Sequence, residues 1–72
     1  MNIKKFKILD VVALLKDIPS KSLVSGQVGT IVEELAENVY EIEFINNKGE
    51  TIATASAEAD NLLLLHYELE TA

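Results

Sequence analysis

The stretch Val39-Tyr40-Glu41-Ile42-Glu43-Phe44-Ile45, followed at once by Asn46-Asn47-Lys48-Gly49, constrains this chain more than any other feature. Apolar and acidic residues alternate with a period of two, the repeat of a strand with one face in a core and the other in water. Tyr40, Ile42 and Phe44 are expected inside, Glu41 and Glu43 outside. Asn and Gly reach left-handed backbone conformations at low cost, so residues 46–49 read as a hairpin loop, with Asn47 and Gly49 as its turn residues. Glu50 to Ala57 must then return antiparallel to 39–45. Its side chains are small, so its place depends on pairing rather than on its own packing.

With one hairpin fixed, the flanking segments read as further strands. Ile8 to Leu15 is an almost continuous apolar run rich in β-branched residues. That pattern fits a strand buried on both faces or bent across a small barrel. A helix competes there through Leu14, Leu15 and Lys16; the shortness of the run and Pro19 just beyond it favour the strand. Lys16 to Ser25 holds Pro19 and three serines and reads as a loop, with Leu23 and Val24 expected to pin it to the core. Gly26 to Glu33 is the second strand. Gly26 stands where a turn needs positive φ, and Gly29, inside the strand pattern, implies a bulge or a close backbone approach. Glu34 to Asn38 is a polar connection in which Asn38 can turn left-handed. Ala57 to Asn61 reads as one helical turn, and Leu62 to Tyr67 as the closing strand.

The expected architecture is therefore all-β: a five-stranded SH3-like small barrel with a single helical turn before the last strand. It occupies residues 8–67, after a basic N-terminal extension (1–7) and before a frayed tail (68–72).

Composition bounds what such a domain can do. A chain of 72 residues makes one domain, and at this size only about 60% of the unfolded surface is buried. Cysteine is absent and His66 is the single histidine, so neither a disulfide nor a zinc cluster can reinforce the fold; no metal or cofactor is expected. No apolar run approaches the ~18 residues of a membrane span. Asp10 interrupts the apolar run after the first lysines and no small-residue cleavage site follows, which gives a cytoplasmic expectation. Five lysines (4, 5, 7, 16, 21) stand in the first 25 residues against Asp10 and Asp17, while residues 26–72 carry Lys48 against ten acids, and arginine is absent. A net charge of −6 makes nucleic acid and anionic membranes poor partners and a basic protein a good one.

Catalysis has little material. A Ser-His-acid triad would need His66, which follows four leucines and reads as structural or surface. Glu41 and Glu43 lie on one solvated strand face with nothing to raise a carboxyl pKa. Gly26-x-x-Gly29 lacks the Gly-Lys-Ser/Thr of a phosphate loop. Too few aromatic residues remain for a polyproline groove. Val24 to Val32 is similar to the glycine-hydrophobic strand of ribosomal-type RNA-binding barrels, without their basic and aromatic surface. The expectation is a non-enzyme. Acids at 33, 34, 37, 41, 43 and 50 cluster around the second to fourth strands, and Glu33, Glu34, Glu41 and Glu43 are the candidates for contact with a basic protein. Two alternatives remain: a structural or self-associating subunit that docks through the small-residue strand 51–57, and nucleic-acid binding through the N-terminal lysines.

Leu9-Asp10-Val11-Val12-Ala13-Leu14, Asp17-Ile18-Pro19, Gly26-Gln27-Val28-Gly29-Thr30-Ile31-Val32-Glu33, Tyr40-Glu41-Ile42-Glu43-Phe44 and Leu62-Leu63-Leu64-Leu65-His66-Tyr67 together resemble a set of small bacterial proteins, domain-of-unknown-function family 4926. The likeness spans roughly residues 8–67, and the Gly-Gln-Val-Gly-Thr run is its most specific part. The resemblance implies an SH3-like barrel with no established activity. It also implies association with neighbouring small proteins, some of them toxin-like, and hence an antitoxin-like or immunity-like role. Thr54, Ala55 and Ala57 depart from the pattern, where larger apolar residues are expected. The lysine-rich start lies outside it.

Overall fold

The computed structural model describes residues 5–66. Five strands form one antiparallel sheet: β1 (Val11–Leu14), β2 (Val28–Ala36), β3 (Val39–Ile45), β4 (Thr51–Glu58) and β5 (Leu62–Leu64). Their spatial order is β4-β3-β2-β1-β5. Strands β2, β3 and β4 make a meander, β1 lies along the free side of β2, and β5 along the free side of β1. A single 3-10 turn, Ala59–Asn61, precedes the last strand. This is the SH3-like plan expected from the sequence. Among the described residues the only other helical piece is the 3-10 turn Pro19–Lys21, and no helix is long and apolar enough to cross a membrane.

The core grows from β3. Tyr40, Ile42 and Phe44 are fully buried, as their alternation requires. Around them pack Val12 and Leu14 of β1, Ile31 of β2, Ala55 of β4 and Leu62 of β5. Strands at opposite ends of the sheet thus share one core, so the sheet is curled. The small residues of β4 make this possible: Ala55 is buried in the cluster, and Ala53 and Ala57 pack against it. Phe6, within the N-terminal extension, also joins the core. Its ring meets Tyr40 edge-on at 5.4 Å, and its N–H donates to the Tyr40 hydroxyl at 3.1 Å, which gives the buried phenol a partner.

Gly29 lies inside β2 rather than in a turn. Pairing runs through it without a break, Val12 on one side and Phe44 on the other, so its role is close approach. The bulges of β2 fall further on, between Ile31 and Glu33 and between Glu34 and Ala36. They break the period of two, which is why residues 34–36 read as a connection although β2 continues to Ala36. The β2–β3 turn is then only Glu37 and Asn38, with Asn38 left-handed at φ 64°. Asn38 also holds its backbone carbonyl to the Ala59 N–H at 2.8 Å, tying this turn to the one before β5.

The 46–49 turn is organised differently from the expectation. Gly49 is left-handed (φ 81°), but Asn47 is not. The asparagine that matters is Asn46, whose Oδ1 accepts from the N–H groups of Lys48 (2.8 Å) and Glu50 (3.0 Å). Such side-chain mimicry of a backbone turn removes the need for a second left-handed residue. Gly26 has φ 93° and donates to the Leu14 carbonyl at 2.7 Å, closing the loop between β1 and β2. Leu23 pins that loop to the core, whereas Val24 is exposed.

Both terminal strands are shorter than their apolar runs. Only Leu62 of the four leucines is buried, with Leu63 and Leu64 exposed. Tyr67 and the tail 68–72 lie outside the described residues. At the other end, Ile8 and Leu9 stand in a turn held by Lys7 N–H to Asp10 Oδ2 (2.7 Å) and Asp10 N–H to the Lys7 carbonyl (3.0 Å). Leu9 has φ 77° and is 72% exposed: the strain of a left-handed leucine is not offset by burial of its side chain.

Two substitutions test these readings. A Cβ at position 29 would lie 2.5 Å from Ile42 Cγ2, 2.8 Å from Phe44 Cδ1 and 2.9 Å from the Glu43 carbonyl oxygen. Gly29→Ala is expected to lower the stability by about 2–3 kcal/mol in urea unfolding; an unchanged midpoint would contradict the close approach. Leu9→Gly relieves a left-handed side chain and is expected to raise stability by about 0.5–1 kcal/mol. A lowered midpoint would mean that the leucine side chain contributes packing.

Candidate functional site

In an antiparallel sheet, residues directly opposite one another project from the same face. The register therefore defines the outward surface without ambiguity. Thr30 faces Glu43, and Glu43 faces Thr54. Beyond the first bulge of β2, Glu33 faces Glu41, and Glu41 faces Ser56. The structure thus brings three of the four sequence candidates, Glu33, Glu41 and Glu43, onto one outward face of the β2–β3–β4 meander. Glu43 accepts a hydrogen bond from the Thr51 hydroxyl at 2.8 Å. Glu34 does not join them: it pairs with Tyr40, whose ring turns inward, and is exposed only because β2 runs past the core there.

Glu33 and Glu41 are the unusual pair. Like charges directly opposite in adjacent strands oppose sheet formation, and the sheet gains nothing in packing from carboxylates on its outer side. The pair follows from the bulge. Val32 is the extra residue between Ile31 and Glu33; were Val32 paired regularly, with no bulge, Glu33 would fall on the same face as Ile31. Periodicity in the sequence does not reveal a bulge, so the pair itself was invisible there; only the acid-rich composition of the region was legible.

The same face holds apolar residues that alternation alone could have located. Ile45 shares its parity with Glu41 and Glu43, and Val28 shares its parity with Thr30. Both project outward and both are exposed.

A cleft of about 260 Å³ opens where the two ends of the curled sheet approach, lined by Leu14 and Ile18 on one side and Val39, Ala57 and Glu58 on the other. Its lining is about half polar, through Lys16, Ser56, Glu58 and Asn61. Ala57, one of the small residues of β4, leaves this space open. Among the described residues no group of three or more His, Cys, Asp or Glu side chains is placed to hold a metal ion.

A family described as a domain of unknown function, DUF4926, matches residues 8–64. No curated protein and no solved structure matches the chain.

The opposed glutamates predict a measurable consequence. Glu41→Gln removes the repulsion and keeps the shape of the side chain, so it is expected to stabilise the fold by about 0.5 kcal/mol. Urea unfolding at low salt should show the gain and high salt should shrink it. A loss of stability would mean that Glu41 has a favourable interaction within the domain.

Proposed function

The chain belongs to the DUF4926 family, and from that premise we propose that it is a non-enzymatic protein-binding module whose acidic sheet face receives a basic protein. The observation that carries the reading is the Glu33–Glu41 opposition. It works against folding, and a cationic partner lying over the two carboxylates would turn that repulsion into attraction. A net charge of −6 adds a long-range field that speeds encounter with a basic surface. The specific form of the proposal is a bacterial, cytoplasmic, antitoxin-like or immunity-like protein that covers the basic surface of a product encoded next to it. Glu33, Glu41 and Glu43 make the contact, and Glu34, on the other side of β2, is left out of it.

A second reading, a structural subunit or self-associating adaptor, draws on β4. This strand ends the sheet order and, Ile52 apart, carries small side chains over residues 51–57, so another chain could approach it closely. Nucleic-acid binding through the N-terminal lysines is the weakest of the three, because the charge of the whole domain opposes it.

Co-expression with the adjacent reading frame, followed by size-exclusion chromatography with light scattering, separates these readings. A complex with a basic protein that weakens with salt and is lost in Glu33→Lys/Glu41→Lys/Glu43→Lys is the expected result. A complex that survives the triple reversal would refute the acidic face. A homo-oligomer with no second protein would favour β4.

A further inference from the structure

The outward face is graded along the strand direction. Leu63 of β5 lies opposite Ala13 of β1, and Ala13 opposite Val28 of β2. The β2–β3 pairing ends at Gly29–Phe44, and continuing its register by one residue puts Val28 and Ile45 next in line on the outward face. This row crosses four strands with apolar side chains alone. Leu63, Val28 and Ile45 are 49%, 42% and 51% exposed, while Ala13 beneath them is 8% exposed. Two residues further along each strand comes a mixed row, Val11, Thr30, Glu43 and Thr54, and then the acidic row Glu33, Glu41 and Ser56. Successive rows are about 7 Å apart. An apolar strip, a carboxylate and a pair of carboxylates thus follow one another over about 14 Å.

We propose that this graded surface docks a cationic amphipathic segment of a partner protein, its apolar end on Val28, Ile45 and Leu63 and its lysines or arginines over Glu43, Glu41 and Glu33. The proposal rests on the acidic-face reading above and adds the apolar strip and the polarity of the occupant. Isolated exposed apolar residues are ordinary; a contiguous row that ends against carboxylates is a surface with a direction. Charge complementarity selects the occupant. A second copy meeting this face with its own acidic face would bring further carboxylates to Glu33, Glu41 and Glu43, and an anionic lipid or nucleic acid would be repelled in the same way. A purely apolar segment would leave the acidic row unanswered, and a purely cationic one would leave the apolar row in water.

The probe is an amidated peptide, Leu-Ser-Leu-Ser-Lys-Ser-Lys-Ser-Lys, titrated into the full-length chain and followed through amide chemical shifts. One control replaces both leucines by serine and another replaces the lysines by glutamate. The expected result is perturbation of Val28, Ile45 and Leu63 together with Glu41 and Glu43, with the leucine peptide binding at least about tenfold more tightly than its serine control. The double variant Val28→Thr/Ile45→Thr, checked for native dispersion, should reduce the leucine peptide to the level of the serine control. If both lysine peptides bind equally, the apolar strip is not part of the site and the proposal falls, while the acidic-face reading stands. Should neither lysine peptide bind, or the glutamate peptide bind as well, the acidic-face reading falls with it. Concentration-dependent shifts of Val28, Ile45 and Leu63 without peptide would make a second copy the occupant and overturn the cationic assignment.

Discussion

Ile42 and Phe44 occupy the space that a side chain at position 29 would fill, and the rest of the domain depends on that contact. Without a Cβ on Gly29, β2 can press onto the inward side chains of β3, and the sheet can curl tightly enough for its two ends to meet. Curling is what gives so small a chain a core at all. A flat sheet of five short strands would have one face to bury and nothing to bury it against. Once the sheet is bent, β1 and β5 supply Val12, Leu14 and Leu62 to the same cluster that β4 enters with Ala55. The alanines of β4 are the counterpart of Gly29 at the far end of the sheet: larger side chains there would hold the ends apart.

The parts of this structure legible in the sequence are those where one local rule acts alone. Strand β3 has the bounds that its alternation predicts, and its three inward residues are the centre of the core. The 3-10 turn before β5 also falls where expected. What escaped reading depends on contacts between distant segments. Hydrophobicity marks Ile8 and Leu9 as strand residues, but both stand in the Lys7–Asp10 turn, and Leu9 keeps only its N–H bond to the Ile31 carbonyl of β2. Four leucines suggest a long closing strand, yet only Leu62 finds core left to fill. Asn47 was the more obvious turn residue beside Gly49, and Asn46 does the organising because its side chain reaches both Lys48 and Glu50. For the candidate site, composition marks an acid-rich region and register decides which of its residues share a face. The bulge at Val32 sets Glu33 against Glu41, while Glu34 falls on the other side.

That bulge joins folding to the proposed function. A bulge bends its strand and increases the local twist, so β2 needs its irregularities to wrap around the core. The same irregularity moves a glutamate onto a face that already carries Glu41. The geometry that closes the barrel therefore also concentrates negative charge on its outside, and the unfavourable electrostatics accompany a backbone path that the core requires.

The apolar strip presents the complementary case. Ala13 is outward-facing and yet buried, and its neighbours across the register, Val28 and Leu63, are both exposed. Their exposed surface, continued by Ile45, has no partner among the described residues. A strip placed at random on a surface of this charge would be interrupted by acids, since residues 26–72 carry ten of them. Instead the carboxylates begin one row away, at Glu43, and increase in the next. Separation of this kind favours an occupant that is itself divided into an apolar and a cationic part, because a uniform one would satisfy only half of the surface. The selectivity lies in the spacing of the rows, and the sheet fixes that spacing at about two residues of extended chain.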